Sequence, residues 1–152
     1  MSSNVTIDGR RLQITREFAA PAHLVFPWWA NGDKLKQWSG CKDCVRCEVE
    51  MDFRVGGGFT QTMQIKDICE FVIIGAYVEI VDNERIVYDG VFGTDEVRVT
   101  VEFRESAGRT TVVVTYDGCP NEFFSQNVSG GTSDSLEALD KLLAGSLHNA
   151  RG

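Results

Sequence analysis

At 152 residues, with a formal charge of −7, 43% hydrophobic and 24% charged residues, the chain has the size and make-up of one globular domain with a respectable core. No Lys/Arg cluster interrupts the acidic excess, which argues against nucleic acid, because phosphate neutralisation needs a basic stripe, and against an anionic membrane surface. The longest apolar run, Phe71 to Val78, falls far short of the ~20 residues that span a bilayer.

Val5 to Phe18 reads as a strand with a turn at Asp8-Gly9; Leu12, Ile14 and Arg16 share one side. Pro21 suits the first turn of a helix that carries Leu24 and Val25 inward, with Trp28 or Trp29 a turn further on. Pro27 makes that helix short or kinked. A second short helix, Asp33 to Trp38, follows the Asn31-Gly32 break.

The sheet then begins in earnest. Val45, Cys47, Val49, Met51 and Phe53 alternate with charged residues, as in a half-buried strand. Phe59, Gln61, Met63 and Ile65 form one face of the next. Phe71 to Val81 is apolar enough to be central, and Arg85 to Phe92 follows the Asp82-Asn83-Glu84 turn. Val97, Val99, Val101 and Phe103 give the cleanest period of two, and Glu105-Ser106-Ala107-Gly108 turns that strand into Arg109 to Tyr116. Asn121 to Asn127 reads as a short helix or a loop, and Gly130-Gly131 as a break. Asp134 is a plausible N-cap, with Glu137 at the third helical position. Leu136, Leu139, Leu142, Leu143 and Leu147 then recur at helical spacing, and Gly145 loosens the end.

This order predicts an α+β fold: two short helices after the first strand, then a curved antiparallel sheet of about six or seven strands wrapped around a long C-terminal helix. Residues 1–152 read as a single domain. A curved sheet with an apolar concave face needs a lid, and the leucine-striped helix is the only element long enough to serve. One helix leaves the ends of such a curve unfilled, so an internal hydrophobic cavity is expected.

In this order the elements resemble a START-like (SRPBCC) domain, and within that superfamily the bacterial homologues of the activator of heat-shock protein 90 ATPase. The resemblance rests on Phe18-Ala19-Ala20-Pro21-Ala22-His23-Leu24-Val25-Phe26, Trp38-Ser39-Gly40, Asp52-Phe53-Arg54-Val55-Gly56-Gly57, and Gly75-Ala76-Tyr77-Val78-Glu79-Ile80 with Glu84-Arg85-Ile86-Val87, and covers about Ile14 to Leu147. It implies a helix-grip fold with a hydrophobic pocket for a lipid, polyketide or other small apolar molecule. A minority of members catalyse cyclisation or related chemistry, and some eukaryotic ones stimulate a chaperone's ATPase. Two departures stand out: Gly131-Thr132 replaces the Gly-Trp common at the start of the last helix, and Trp38-Ser39 replaces a tryptophan pair. The resemblance therefore implies a widened or wetter cavity, unless Trp28 or Trp29 refills it.

Cys41, Cys44 and Cys47 form overlapping Cys-x-x-Cys spacings that could hold zinc or a redox disulfide. The plainer reading makes Cys47 an inward strand residue and the other two loop thiols, and it is favoured. Five cysteines, an odd number, and the lack of a signal pattern in Met1-Ser2-Ser3-Asn4-Val5 point to free thiols in a reducing cytoplasm. Gly56-Gly57-Gly58 lacks the context of a phosphate loop and reads as a hairpin turn or bulge. Asp52, Arg54, Glu79 and Arg85 could form a charged cluster at the pocket but read better as exposed pairs, with Arg85 securing the neighbouring turn. His23 and His148 read as surface residues.

The expected function is the binding of a small hydrophobic molecule between the sheet and the C-terminal helix. Trp38, Met63, Tyr77, Tyr88 and Phe92 are expected to line the site, with the tyrosine hydroxyls as anchors. The alternatives are a cyclase- or hydrolase-like pocket enzyme and a module that stimulates a chaperone ATPase. No catalytic residue, metal ligand or cofactor is assigned. A homodimer is compatible with the sequence, though no residue demands one.

Overall fold

The computed structural model describes residues 4–38, 44–65 and 69–151. In chain order the elements are β1 (Asn4–Asp8), β2 (Arg11–Phe18), α1 (Ala22–Val25), α2 (Pro27–Ala30), α3 (Gly32–Trp38), β3 (Cys44–Met51), β4 (Gly58–Ile65), β5 (Cys69–Val81), β6 (Arg85–Phe92), β7 (Asp95–Ser106), β8 (Arg109–Asp117) and α4 (Glu122–Arg151). The strands form one curved antiparallel sheet in the order β1-β2-β8-β7-β6-β5-β4-β3. From β3 to β8 it is a meander; the opening hairpin joins at the far edge, where β2 pairs with β8.

Two counts differ from expectation. The Asp8-Gly9 turn makes β1 a separate strand, Gly9 taking φ of 59°, so the sheet has eight strands. Three short helices, not two, follow β2, because Pro27 opens a new helix at its first turn and does not bend an existing one. Val45 also departs: it is 66% exposed, at the register shift between Cys44 and Arg46, while Cys47, Val49 and Met51 keep the inward phase.

The larger correction concerns α4. It begins at Glu122, not after Asp134, and runs unbroken through Gly130 and Gly131 and past Gly145. Asn121 caps it: the Phe124 N–H donates to Asn121 Oδ1 at 2.8 Å. Each mid-helix glycine costs about 1 kcal/mol relative to alanine. The helix survives because both flanks are anchored. The Phe124 ring lies 5.8 Å from that of Phe92. On the other flank Leu136, Leu139 and Leu143 are buried, each contributing about 1.5–3 kcal/mol.

The core lies between α4 and the concave face. On that face β2 supplies Leu12, Ile14 and Phe18; β7 supplies Val97, Val99, Val101 and Phe103; β8 supplies Val112 and Val114. Burial is uneven across the sheet. Leu12, Ile14, Val99, Val101 and Val112 are sealed, whereas Cys47, Val49, Met63 and Phe71 on β3, β4 and β5 are only half-buried. Thus α4, together with Phe26 and Trp29 over Phe103, covers the β2–β8–β7 side, while the β3–β5 side is less completely buried.

Candidate functional site

Strand register sets the site. Leu12 pairs with Tyr116, Tyr116 with Val99, Val99 with Tyr88 and Tyr88 with Tyr77, giving one lateral row across five strands. The chain has three tyrosines, and all of them stand in this row. Paired residues share a face of the sheet, and Leu12 and Val99 in the row are fully buried, so the row is concave-facing. A register shift between Tyr77 and Glu79 puts Val78 out of phase, which keeps Tyr77 in the row while Glu79 turns outward opposite Val87. Val99 is small, and its place between Tyr88 and Tyr116 leaves a dip between two phenol rings.

The three hydroxyls are met differently. Tyr116 OH and Thr132 Oγ1 on α4 lie 2.8 Å apart in a hydrogen bond. Among the described residues, neither the Tyr77 nor the Tyr88 hydroxyl has a protein hydrogen-bond partner. Neither hydroxyl oxygen is fully enclosed. Both phenols therefore reach space that a water-sized group can enter. Burial holds all three phenols protonated. It drives Tyr77 and Tyr88 far above the ordinary value of 10 and Tyr116 up to about 12, with the Thr132 hydrogen bond pulling the other way. The neighbouring phenols of Tyr116 and Tyr77 push Tyr88 further in the same direction, so the three hydroxyls share one region.

Two sets of rings frame the row. One runs by edge contacts from Trp38 through Trp29 (4.6 Å), Phe103 (5.1 Å), Phe26 (5.2 Å) and Phe53 (5.9 Å) to Tyr77 (5.0 Å). Phe59 then bridges Tyr77 and Tyr88. The other set joins Phe124, Phe92 and Tyr116. The five expected site residues thus separate. Tyr77 and Tyr88 are neighbours, 6.2 Å apart. Phe92 abuts the third tyrosine. Met63 pairs with Phe71 at the half-open side. Trp38 is buried at the far end of the ring chain, its indole N–H donating to the Trp28 carbonyl at 3.0 Å, with Trp29 packed on it. Trp29 therefore fills much of the space next to Trp38.

Sequence reasoning missed Tyr116, Thr132 and Arg16. Parity would have found Tyr116, since it shares a face with Val112 and Val114. Thr132 was hidden by the expected break at Gly131. Arg16 is buried beside Phe18, its guanidinium 6.0 Å from the ring centre and 3.2 Å from Asp140 on α4. It ties β2 to the helix.

The remaining candidates lie elsewhere. Cys47 Sγ accepts a hydrogen bond from Gln61 Nε2 at 3.7 Å on the inner face, as the plainer reading expects. Cys41 lies outside the described residues. Cys119 is a free thiol, buried near Tyr116 with its Sγ 3.8 Å from that residue's carbonyl. Asp52 pairs with Arg54 at 2.6 Å, and Arg85 bridges Glu79 and Glu102 instead of securing its turn; these pairs are solvent-facing. His23 is exposed. Among the described residues no carboxylate or histidine is buried, and no group of three or more His, Cys, Asp or Glu side chains could hold a metal ion.

A curved eight-stranded sheet closed by a C-terminal helix, with polar groups set in an apolar interior, is the helix-grip architecture. The family model described as activator of Hsp90 ATPase homolog 1-like protein matches residues 19–144, and the chain belongs to that family. Protein CV1439 from Chromobacterium violaceum superposes with a TM-score of 0.79 at 20% identity, covering 90% of this chain and 98% of that one. Ms6760 from Mycobacterium smegmatis gives 0.78 at 20% identity, covering 94% and 97%. CalU16 from Micromonospora echinospora gives 0.68 at 14% identity, covering 97% and 87%. Identities this low speak to the fold alone. None of the curated proteins matches the chain. Family membership supports a ligand-binding or interaction module in general terms. No helix among the described residues is long and apolar enough to cross a membrane.

Proposed function

We propose that this protein is a single-domain binder of a small apolar molecule, held between the concave face of the sheet and α4 and entering from the β3–β5 side. The observation that carries this reading is Tyr88. Its phenol is so enclosed by protein that ionisation is strongly disfavoured, yet the side chain is only half-buried and its hydroxyl has no protein partner among the described residues. An enclosed side chain that keeps accessible surface is suited to the wall of a hollow that a small molecule could enter. Met63 and Phe71 on the sheet, with Phe124 and Val128 on α4, are apolar and half-buried, and supply the walls. Such a wall rewards apolar contact: burying about 200 Å² of ligand surface gains about 5 kcal/mol. Association costs at least about 4 kcal/mol, leaving about 1 kcal/mol, so even millimolar affinity, which needs about 4 kcal/mol, requires oriented anchors or more apolar contact as well. Tyr77 and Tyr88 are placed to be those anchors. Trp38 acts here as a packing residue behind the site.

The experiment is native mass spectrometry of the protein purified without organic solvent, compared with a Met63→Trp variant that fills the half-open side. The expected result is an added mass of a few hundred daltons or less in the wild type that is lost in the variant, while both unfold at similar temperatures. An added mass retained by a folded Met63→Trp variant would place the binder elsewhere. A wild-type chain that takes up no member of a screen of apolar compounds would refute the pocket.

A further inference from the structure

Resting on the pocket proposed above, we infer that its ligand carries an uncharged carbonyl-type oxygen, which accepts hydrogen bonds from the Tyr77 and Tyr88 hydroxyls. All three tyrosines of the chain stand in one cross-strand row of a largely apolar face, whose other polar groups include Arg16 and Gln61. Tyr116, at one end of the phenol group, is answered from within the protein by Thr132 at 2.8 Å. Tyr77 and Tyr88, 6.2 Å apart between ring centres, are not. Two adjacent unanswered phenols inside an apolar hollow suit a single oxygen with two lone pairs, which is what a carbonyl presents.

The charge of that oxygen follows from the surroundings. The desolvation that keeps the phenols protonated also disfavours a bound carboxylate. The buried cation of this face, Arg16, is engaged with Asp140 at 3.2 Å and stands four residues along β2 from Leu12, about 13 Å from the row. Among the described residues no positive group is thus at hand to neutralise an anion between Tyr77 and Tyr88. The phenols stay protonated at neutral pH, so each has a hydrogen to give to an acceptor such as a carbonyl oxygen. The Phe59 ring, packed on both of these phenols, favours a flat skeleton bearing the carbonyl.

The test uses 9-fluorenone and fluorene, tricycles that differ by one carbonyl oxygen, titrated calorimetrically into the wild type and into Tyr77→Phe, Tyr88→Phe and the double variant. The expected result is that fluorenone binds the wild type about tenfold more tightly than fluorene. That advantage should shrink in each single variant and vanish in the double variant, with fluorene unaffected throughout. Equal wild-type affinities for the two tricycles would overturn the carbonyl assignment and leave the pocket standing, without recourse to any variant. An advantage that persists in a folded double variant would overturn the assignment to these tyrosines. Binding of neither compound would count against the pocket itself and remove this inference with it.

Discussion

Gly75 faces Phe59 across the β4–β5 pair, and a methyl group placed there would run into the Phe59 ring. Strand propensity alone favours Gly75→Ala, because glycine in a strand interior costs about 0.5–1 kcal/mol. Packing opposes it. Phe59 is buried, its ring 4.8 Å from Tyr88 and 5.4 Å from Tyr77, so it cannot swing aside without moving the row. Overpacking of this kind costs about 1–3 kcal/mol. Gly75→Ala is therefore expected to destabilise the protein by about 0.5–2 kcal/mol net. In a Phe59→Ala background the collision disappears, and the same change becomes neutral or stabilising by up to about 1 kcal/mol. A double-mutant cycle by urea denaturation should then give a coupling of about 1–3 kcal/mol, as expected for side chains in contact. An equal cost of Gly75→Ala in both backgrounds would refute the reasoning, as would stabilisation of the wild type.

Gly130→Ala, on an exposed helical position with nothing within 4 Å of the added methyl, is expected to stabilise by about 1 kcal/mol, seen as a rise in Tm of about 2–4 °C. Thr132→Val keeps the shape but leaves the Tyr116 phenol unpaired. It should cost about 1–3 kcal/mol in denaturant titrations and move Tyr116 ionisation further up, since the Thr132 hydrogen bond lowers it. The phenols are raised in the folded state, so their contribution to stability is complete below the unfolded value of 10 and falls away as pH rises toward about 12, where Tyr116 titrates. Unfolding midpoints should therefore drop steeply above about pH 10, by up to about 1.4 kcal/mol per pH unit for each phenol, and less steeply in Tyr88→Phe; a flat profile there would contradict the burial of these groups.

Strand parity made most of the sheet legible. Val97, Val99, Val101 and Phe103 are buried as their alternation requires, and the Asp82-Asn83-Glu84 turn falls where expected, with Asn83 at φ of 62°. The site was half legible for the same reason: Tyr77 and Tyr88 could be assigned to an inner face, but their pairing could not, because it depends on the register shift after Tyr77. Sequence reading failed where tertiary contact overrides local preference. Gly130-Gly131 looks like a break because glycine disfavours helix, and only the anchors at Phe124 and Leu136, far apart along the chain from Phe92 and β2, keep α4 whole. The packing of Trp38 against Trp29 was not legible either, because it is set by two short helices, α2 and α3, whose joint at Asn31 has no periodic signature.

The weakest stretch of α4 and the phenol row are physically one problem. Ser129 to Ser135 contains two glycines, three serines, a threonine and an aspartate, all poor helix formers, and together they forgo roughly 4–5 kcal/mol relative to alanine. Inside that stretch Thr132 supplies the hydrogen bond that answers Tyr116. The buried leucines begin only at Leu136, and on the other side Phe124 holds the helix start. The segment above the row is thus suspended between two anchored ends and held to the sheet through Thr132. A ligand bound beneath it, as proposed, would add contacts to these weak turns, so that binding and order in the middle of α4 would rise together, each by the free energy it lends the other.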